Sequence, residues 1–404
     1  MRHPQYQAWY TLPQTTFSKR SAVVIGAGLA GAAAAYALAK RDWQVTVIER
    51  HSSSAKEASG IAAGVVAPRS SAWHHSDGGF YLHAYRYTLD ILEKLSVKFN
   101  RCGVIQLARN AKDEDRQIKL LGTIPQDNSF AYQVGAQEAS LLSGVALQHG
   151  GIVYPQGGYL NPKNFCDVML DSKNIDVVFS NEAIYLQRVD VNSDWHITNN
   201  KGEILMKTPV VIIANSGAAS SFSQSHWLPL VKIRGQVSCS PAKALTKQLS
   251  VVLCHTGYLT PAENDIHIFG ASFQRERLGT ELSNADDLDN IRRINEFAPQ
   301  IAAELANDVT GQHAALRAAT TDRLPCIGPL PDVEHFAREG RYHPGLFVST
   351  GFATRGIIAA PLAGEMLAAM VNREQLPLPQ DIIDALNPAR FLIRRLRRGL
   401  PLSP

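Results

Sequence analysis

Apolar positions first gather at residue 21. Ser21–Ile25 is a short β-branched run, 29–40 is Ala-rich and helical, and Gln44–Ile48 is a second strand-like run, so this stretch predicts a βαβ unit. Parallel strands joined by a crossover helix imply a doubly wound sheet. Residues 1–20 read as an irregular arm, with Trp9, Tyr10 and Pro13 as candidates to pin it to a neighbouring surface. Residues 81–97 have helical periodicity, and the chain from there to about 150 is more polar and mixed. A helix is expected over 164–170, behind Asn161-Pro162, and several short strands over 177–205. The run 209–214 has the composition of a fully buried strand and leads into Asn215-Ser216-Gly217. Strands around 231–238 and 267–272 precede a polar helical stretch over 286–306. A last buried strand is expected at 346–349, and Gly351 then leads into a long Ala-rich helix over 357–371. The fold class is therefore α/β, with a doubly wound domain built from 21–80, 141–219 and 312–375. An inserted α+β domain is expected from 81–140 and 220–311, and a tail from 376–404.

One stretch needs a second reading. Residues 21–39 carry no charge and follow Lys19 and Arg20, which approaches a membrane span in length. Three glycines at fixed spacing inside it, and a strand-like run ending in Glu49 after it, favour a buried strand and helix over an anchor or signal peptide. At 404 residues, with 45% hydrophobic and 19% charged residues, the chain has room for two globular domains and is neither disordered nor fibrous. Its five cysteines are widely spaced and form no CxxC or Cys/His cluster, so no disulfide framework or zinc site is expected and a reducing cytoplasm fits. Five arginines (Arg390, Arg394, Arg395, Arg397 and Arg398) fall in the last fifteen residues, where there is no acid. Taking five positive charges from the net +4 leaves the rest of the chain at −1, so its basicity is local and directed at anionic partners.

The glycines at 21–39 carry the first chemistry. Gly26-Ala27-Gly28-Leu29-Ala30-Gly31 is GxGxxG between a strand and a helix. The first glycine makes the turn, the second admits a pyrophosphate, and the third lets helix and strand approach. Glu49, followed by Arg50, ends the next strand 23 residues after Gly26, where a carboxylate can accept from both hydroxyls of an adenosine ribose. Ser59, Gly60, Ala63 and Gly64 then form a small-residue loop whose backbone can approach a flat ring system, which favours FAD over NAD.

These motifs, together with Arg234-Gly235-Gln236, Gly257-Tyr258-Leu259-Thr260-Pro261, the run LRAATTDRLPCIGPLPD over 316–332 and GFATRGIIAAPLAGE over 351–365, resemble the D-amino-acid oxidase superfamily of flavoproteins. Within it, Tyr154-Pro155-Gln156-Gly157-Gly158-Tyr159 and Leu386-Asn387-Pro388-Ala389-Arg390 are similar to the C-terminal FAD domain of the bifunctional family of tRNA 5-methylaminomethyl-2-thiouridine biosynthesis. The resemblance implies a glycine-oxidase-like fold with a Rossmann-like FAD-binding domain. The implied reaction removes the carboxymethyl group of 5-carboxymethylaminomethyluridine at the wobble position of tRNA, giving aminomethyluridine and glyoxylate. That substituent is an N-alkylated glycine, and a flavin accepts hydride from a carbon beside nitrogen, so no catalytic triad is required. The bifunctional family carries a methyltransferase before its FAD domain; none fits this sequence, so methylation is not expected of it, and a methyltransferase partner, separate or fused, is left open. The resemblance also implies FAD held without a covalent tether, because members that tether it place a Cys where Ala315 stands, shortly before Thr320-Thr321-Asp322.

The resemblance assigns roles residue by residue. Arg317 matches the arginine that pairs with the substrate carboxylate; a structural ion pair is its alternative. Tyr258 is placed to donate to that carboxylate or close over the flavin, and Gln236 to face the ring system or substrate; packing roles are the alternatives for both. Gly217 belongs to the cofactor set, as do Gly351, Thr354, Arg355, Gly356 and Ile357, where a helix N-terminus and a cation would offset negative charge on reduced flavin. His255 is a candidate proton exchanger near Tyr258, although a single histidine is more often structural. On a helical wheel the five arginines share one half and Leu392, Ile393, Leu396 and Leu400 the other, so the tail is expected to offer guanidinium groups to the phosphates of a tRNA anticodon stem-loop. A solvated terminal helix and contact with an anionic membrane are its alternatives. Oxidation of free glycine, sarcosine or D-amino acids, and a flavin-binding RNA chaperone without turnover, are the competing functions.

Overall fold

In the computed structural model of the chain, which describes residues 9–13, 15–68, 76–123, 128–190 and 193–402, the apolar run at 21–39 divides as the sequence reads. Ser21–Ile25 is a strand and Leu29–Ala39 a helix buried on nearly every side. A helix apolar all round belongs inside a protein core. Here it packs against the long helix Gly356–Asn372, where a side chain at Gly364 would come within 2.4 Å of the Ala33 carbonyl oxygen. No helix among the described residues is long and apolar enough to cross a membrane.

The chain divides into two units. The first comprises 1–59, 166–232 and 317–404, the second 60–165 and 233–316, so the chain passes between them four times. The expected boundaries shift accordingly: 60–68, 76–80 and 141–165 group with the second unit, whereas 220–232, the described part of the arm, and the tail group with the first. Of the arm, 1–8 and 14 lie outside the described residues. Trp9 and Tyr10 pack on the apolar cluster of the first unit, and the Tyr342 hydroxyl donates to the Trp9 carbonyl at 2.6 Å.

The first unit is built on a six-stranded sheet in the order 326–331, 342–350, 210–213, 21–25, 44–48, 175–178. All neighbours are parallel except Cys326–Pro331, which runs antiparallel to Tyr342–Thr350. Strand 210–213 is buried throughout, as its unbroken Val/Ile run requires. The five parallel strands lead, in chain order, into Gly26, Glu49, Phe179, Ala214 and Gly351, the edge at which open α/β sheets bind ligands.

Most of an eight-stranded sheet belongs to the second unit, in the order 310–320, 230–241, 266–270, 258–259, 252–254, 104–107, 151–154, 132–134; residues 230–232 and 317–320 at the ends of its first two strands count with the first. One apolar cluster joins Ile105, Leu253, Leu259 and Phe269 to Ile294, Ile301 and Leu305 on the buried side of the helices Asn284–Asn295 and Pro299–Leu305. A second collects Val104, Ile152, Tyr154, Val252 and Ile268 with Ala63 and Ala67.

Candidate functional site

Each glycine of the first motif meets a different constraint. Gly26 has φ +103°, open to glycine and costly for any other residue, and a side chain there would lie 2.9 Å from the Ala214 carbonyl oxygen. At Gly31 a Cβ would sit 1.8 Å from the Gly26 carbonyl oxygen, so helix and strand can approach only with hydrogen in that place. Gly28 differs: the single atom within 4 Å of a Cβ there is Ser59 Oγ at 3.2 Å, leaving the turn open toward the sheet edge.

Glu49 is buried at the end of its strand. Its carboxylate accepts from the Ala27 N–H at 2.8 Å and from the His51 N–H at 2.9 Å, which fixes the carboxyl group against the glycine turn. Each oxygen retains a lone pair, the capacity a ribose diol would use. The first N–H groups of a helix lack intrahelical partners. Ser59 Oγ meets the Leu29 N–H at 3.2 Å, while Ala30 and Gly31 follow in the same first turn. Arg50 is half exposed and held by Glu57 and, at 3.5 Å, by Glu182.

A second helix N-terminus lies beside the first. Gly351, at φ +81°, follows the end of its strand, and Arg355 caps the helix that starts at Gly356. A side chain at Gly356 would touch Leu29 Cδ1 at 3.6 Å. Thr354 is exposed and Ile357 buried. The Ala353 N–H donates to the Ala318 carbonyl at 2.8 Å, so this turn is tied to the strand that carries Arg317, which is itself half-buried. On the other side, Thr350 Oγ1 donates to the Ser216 carbonyl at 2.8 Å, which brings the 215–217 turn and Gly217 alongside. Asn215, which sequence reading passed over, follows the strand next to Gly26, and its buried Oδ1 has no protein partner.

The remaining expected site residues lie in the second unit. Gly60 and Ala63 belong to its opening loop and Gly64 starts the strand Gly64–Val66, paired with Gly158–Leu160. The Tyr258 hydroxyl donates to the Ala63 carbonyl at 2.9 Å, which anchors that loop. Gln236 is corrected. It is fully buried, its oxygen accepts from the Ser283 N–H and from Arg234, and its nitrogen donates to the Ser283 carbonyl and to Asp287, so it has no capacity left for a ring system or substrate. It belongs to a buried network in which Arg234 pairs with Asp286, and Asn290 and Ser238 complete the bonding. His255 also differs from a proton exchanger: both ring nitrogens are buried without a hydrogen bond, burial pushes its pKa down, and Glu296, 3.6 Å away, opposes that only in part.

The expected basic face is corrected at one position. Arg390 is buried, with its guanidinium bonded to Asp322 at 2.9 and 3.1 Å and to the carbonyls of Leu324, Leu386 and Asn387. It cannot reach a phosphate. Arg394, Arg397 and Arg398 are exposed and Arg395 half exposed.

A parallel sheet whose carboxyl edge carries a glycine turn, a buried acid and two neighbouring helix N-termini defines a dinucleotide-binding flavoprotein fold. Comparison with known proteins agrees: the chain belongs to the FAD dependent oxidoreductase family, which it matches over residues 21–370. It is 37% identical, over 97% of its length, to the tRNA 5-methylaminomethyl-2-thiouridine biosynthesis bifunctional protein MnmC of Stutzerimonas stutzeri (strain A1501). To the protein of the same name from Pseudomonas savastanoi pv. phaseolicola it is 36% identical over 98%. The chain spans 62% and 63% of the length of these relatives. Among solved structures, glycine oxidase from Geobacillus kaustophilus superposes with a TM-score of 0.77 at 18% identity, covering 91% of this chain and 98% of that one. Iminodiacetate oxidase from Chelativorans sp. BNC1 gives 0.74 at 21% identity, with 91% and 98% covered. At these identities the likeness is one of fold.

The residues present fit the family's cofactor. The open turn at Gly28 suits a pyrophosphate, Glu49 a ribose without a 2′-phosphate, and Asn215, whose buried Oδ1 has no protein partner, backs onto Gly26.

Proposed function

We propose that this chain oxidises an N-carboxymethyl amine carried on tRNA: the 5-carboxymethylaminomethyl group of a wobble uridine, with or without a 2-thio group. The substrate loses hydride from the glycyl methylene and a proton from nitrogen; water adds to the resulting C=N bond, and the C–N bond breaks to leave aminomethyluridine and glyoxylate. Bound FAD supplies the two-electron acceptor. The protein's part is to hold and orient. Gly26, Gly28, Leu29, Ala30 and Gly31 would hold the pyrophosphate, and Glu49 the ribose. Ser59, Gly60, Ala63, Gly64, Gly217, Gly351, Thr354, Gly356 and Ile357 would frame the cofactor, with Arg50 at its adenosine end and Arg355 adding a positive charge at a helix N-terminus. Arg317 would clamp the glycyl carboxylate with its guanidinium fork. Tyr258 would fix the loop at Ala63 rather than act on the substrate directly.

The observation that carries this reading is sequence identity of 36–37% to the tRNA-modifying relatives along 97–98% of the chain. A tRNA methyltransferase, fused or separate, is a partner of this reading, and with tRNA as substrate the reaction belongs to the cytoplasm. Nucleoside mass spectrometry tests it: incubation with tRNA carrying the carboxymethylaminomethyl group should convert it to the aminomethyl form. Turnover of free glycine or sarcosine with the modified tRNA untouched would instead define a small-amine oxidase.

A further inference from the structure

We propose that the last helix, Ala389–Arg397, with the turn at Asp322-Arg323, is a rigid docking ridge for the phosphate backbone of structured RNA. This inference names the surface by which the proposed substrate would be held, and so rests on that reading. The helix is fastened on one side. Phe391, Leu392 and Ile393 are buried in the main apolar cluster of the first unit, with Leu396 packed against its rim. Arg390 acts as the bolt, filling the space between Asp322 and the Leu324 and Leu386 carbonyls.

Asp322 is a carboxylate bonded to this helix, and the buried Arg390 already offsets it. Arg394 also reaches Asp322, at 2.5 Å, while its side chain stays 46% exposed. Arg395 donates to the Pro401 carbonyl at 2.6 Å, which holds the end of the chain against the helix. Arg397 and Arg398 are exposed, and Arg323 is exposed at the left-handed turn beside Asp322, φ +66°. Arg394, Arg395 and Arg397 on the helix, Arg398 at its cap and Arg323 on the turn thus stand on a fixed scaffold with a surplus of positive charge.

RNA fits this surface better than a lipid bilayer. An amphipathic helix binds a membrane by inserting its apolar face. Here that face is already spent on the protein's own core. Guanidinium groups on a rigid helix suit repeated phosphates, each of which releases a counterion when it is bound.

The test uses the FAD-loaded full chain and fluorescently labelled tRNA titrated at several salt concentrations. Replacing Arg395, Arg397 and Arg398 with Gln should lower the slope of log K against log salt by roughly 0.7 to 0.9 for every phosphate the variant no longer neutralises. Affinity near physiological salt should fall at least tenfold, and Arg323→Gln should add to the loss. Oxidation of the free modified nucleoside should keep its rate, because these side chains lie outside the cofactor residues. Parent-like affinity and slope in the folded, yellow variant would overturn the proposal, as would binding of the parent to anionic phosphatidylserine vesicles but not to tRNA. If the parent binds tRNA through these arginines yet converts no modified nucleoside, the docking surface stands and the proposed reaction falls.

Discussion

The three glycines of the first turn separate stability from cofactor binding at the level of single residues. Gly31→Ala puts a methyl group into the space of the Gly26 carbonyl oxygen, so the strand and helix must part, at a cost of about 1 to 3 kcal/mol or more. A lower melting temperature for the apoprotein, and little retained flavin, are expected. Gly28→Ala meets only a serine hydroxyl, so the apoprotein should melt near the parent value while FAD affinity drops. Equal losses in both measurements for both variants would contradict this division. Arg317 poses a similar contrast for substrate. Arg317→Ala should leave FAD bound and lower kcat/KM for the carboxylate substrate by about ten- to a hundredfold or more, the equivalent of a charged hydrogen bond of about 1.5 to 3 kcal/mol. Arg317→Lys should recover only a little, because an ammonium group cannot make the two-pronged pairing. Near-parent turnover in Arg317→Ala would assign it to structure.

At the scale of elements, the C-terminal helix is docked through a charge pair with a readable pH dependence. Burial alone would raise the Asp322 pKa, but hydrogen bonds and charge from Arg390 and Arg394 outweigh it and bring it down to about 2. The folded value lies below the unfolded one, so the pair stabilises the protein fully above about pH 4 and that stabilisation is lost as pH falls toward 2. Asp322→Asn should therefore lower the melting temperature at neutral pH and flatten its acid limb between about pH 4 and 2. An acid limb unchanged from the parent would remove Asp322 from the account. This element also shows what sequence could tell. The wheel separates arginines from leucines, and a helix forms over Ala389–Arg397 with Leu392 and Ile393 buried, but Leu400 lies beyond it and is exposed, and nothing in the pattern says that Phe391 is buried or that Arg390 faces a carboxylate 68 positions away. Gln236 failed for the same reason, since Asp287 and Ser283 reach it from a distant helix start. The glycine turn, Glu49 and the strands around them were legible because their constraints are local: a positive φ, a close approach, a run of buried Val and Ile.

At the scale of the whole molecule, neither unit is a continuous piece of chain. The first is assembled from three segments and the second from two, with the cofactor edge of the first drawing on strands from residue 21 to residue 350. The sequence pattern marks the parallel strands of the first unit but not most strands of the second, and the crossings near 60 and 165 carry no local signature: one falls in a loop and the other inside the helix Pro162–Leu170. Such an assembly ties cofactor retention to global folding: FAD held noncovalently by several segments stabilises the native state by about 2.7 kcal/mol when free FAD is a hundredfold above its Kd. Added FAD should therefore raise the melting temperature in a concentration-dependent way. Denaturation should release it completely, since Ala315 occupies the strand position where a tethering Cys is expected. Acid precipitation separates the cases directly. A colourless pellet with all the flavin in the supernatant fits binding by the folded surface alone, whereas yellow colour remaining in the pellet would show a covalent bond to some other side chain. In that second case the melting temperature would no longer respond to added FAD, because the bound group could not exchange with it.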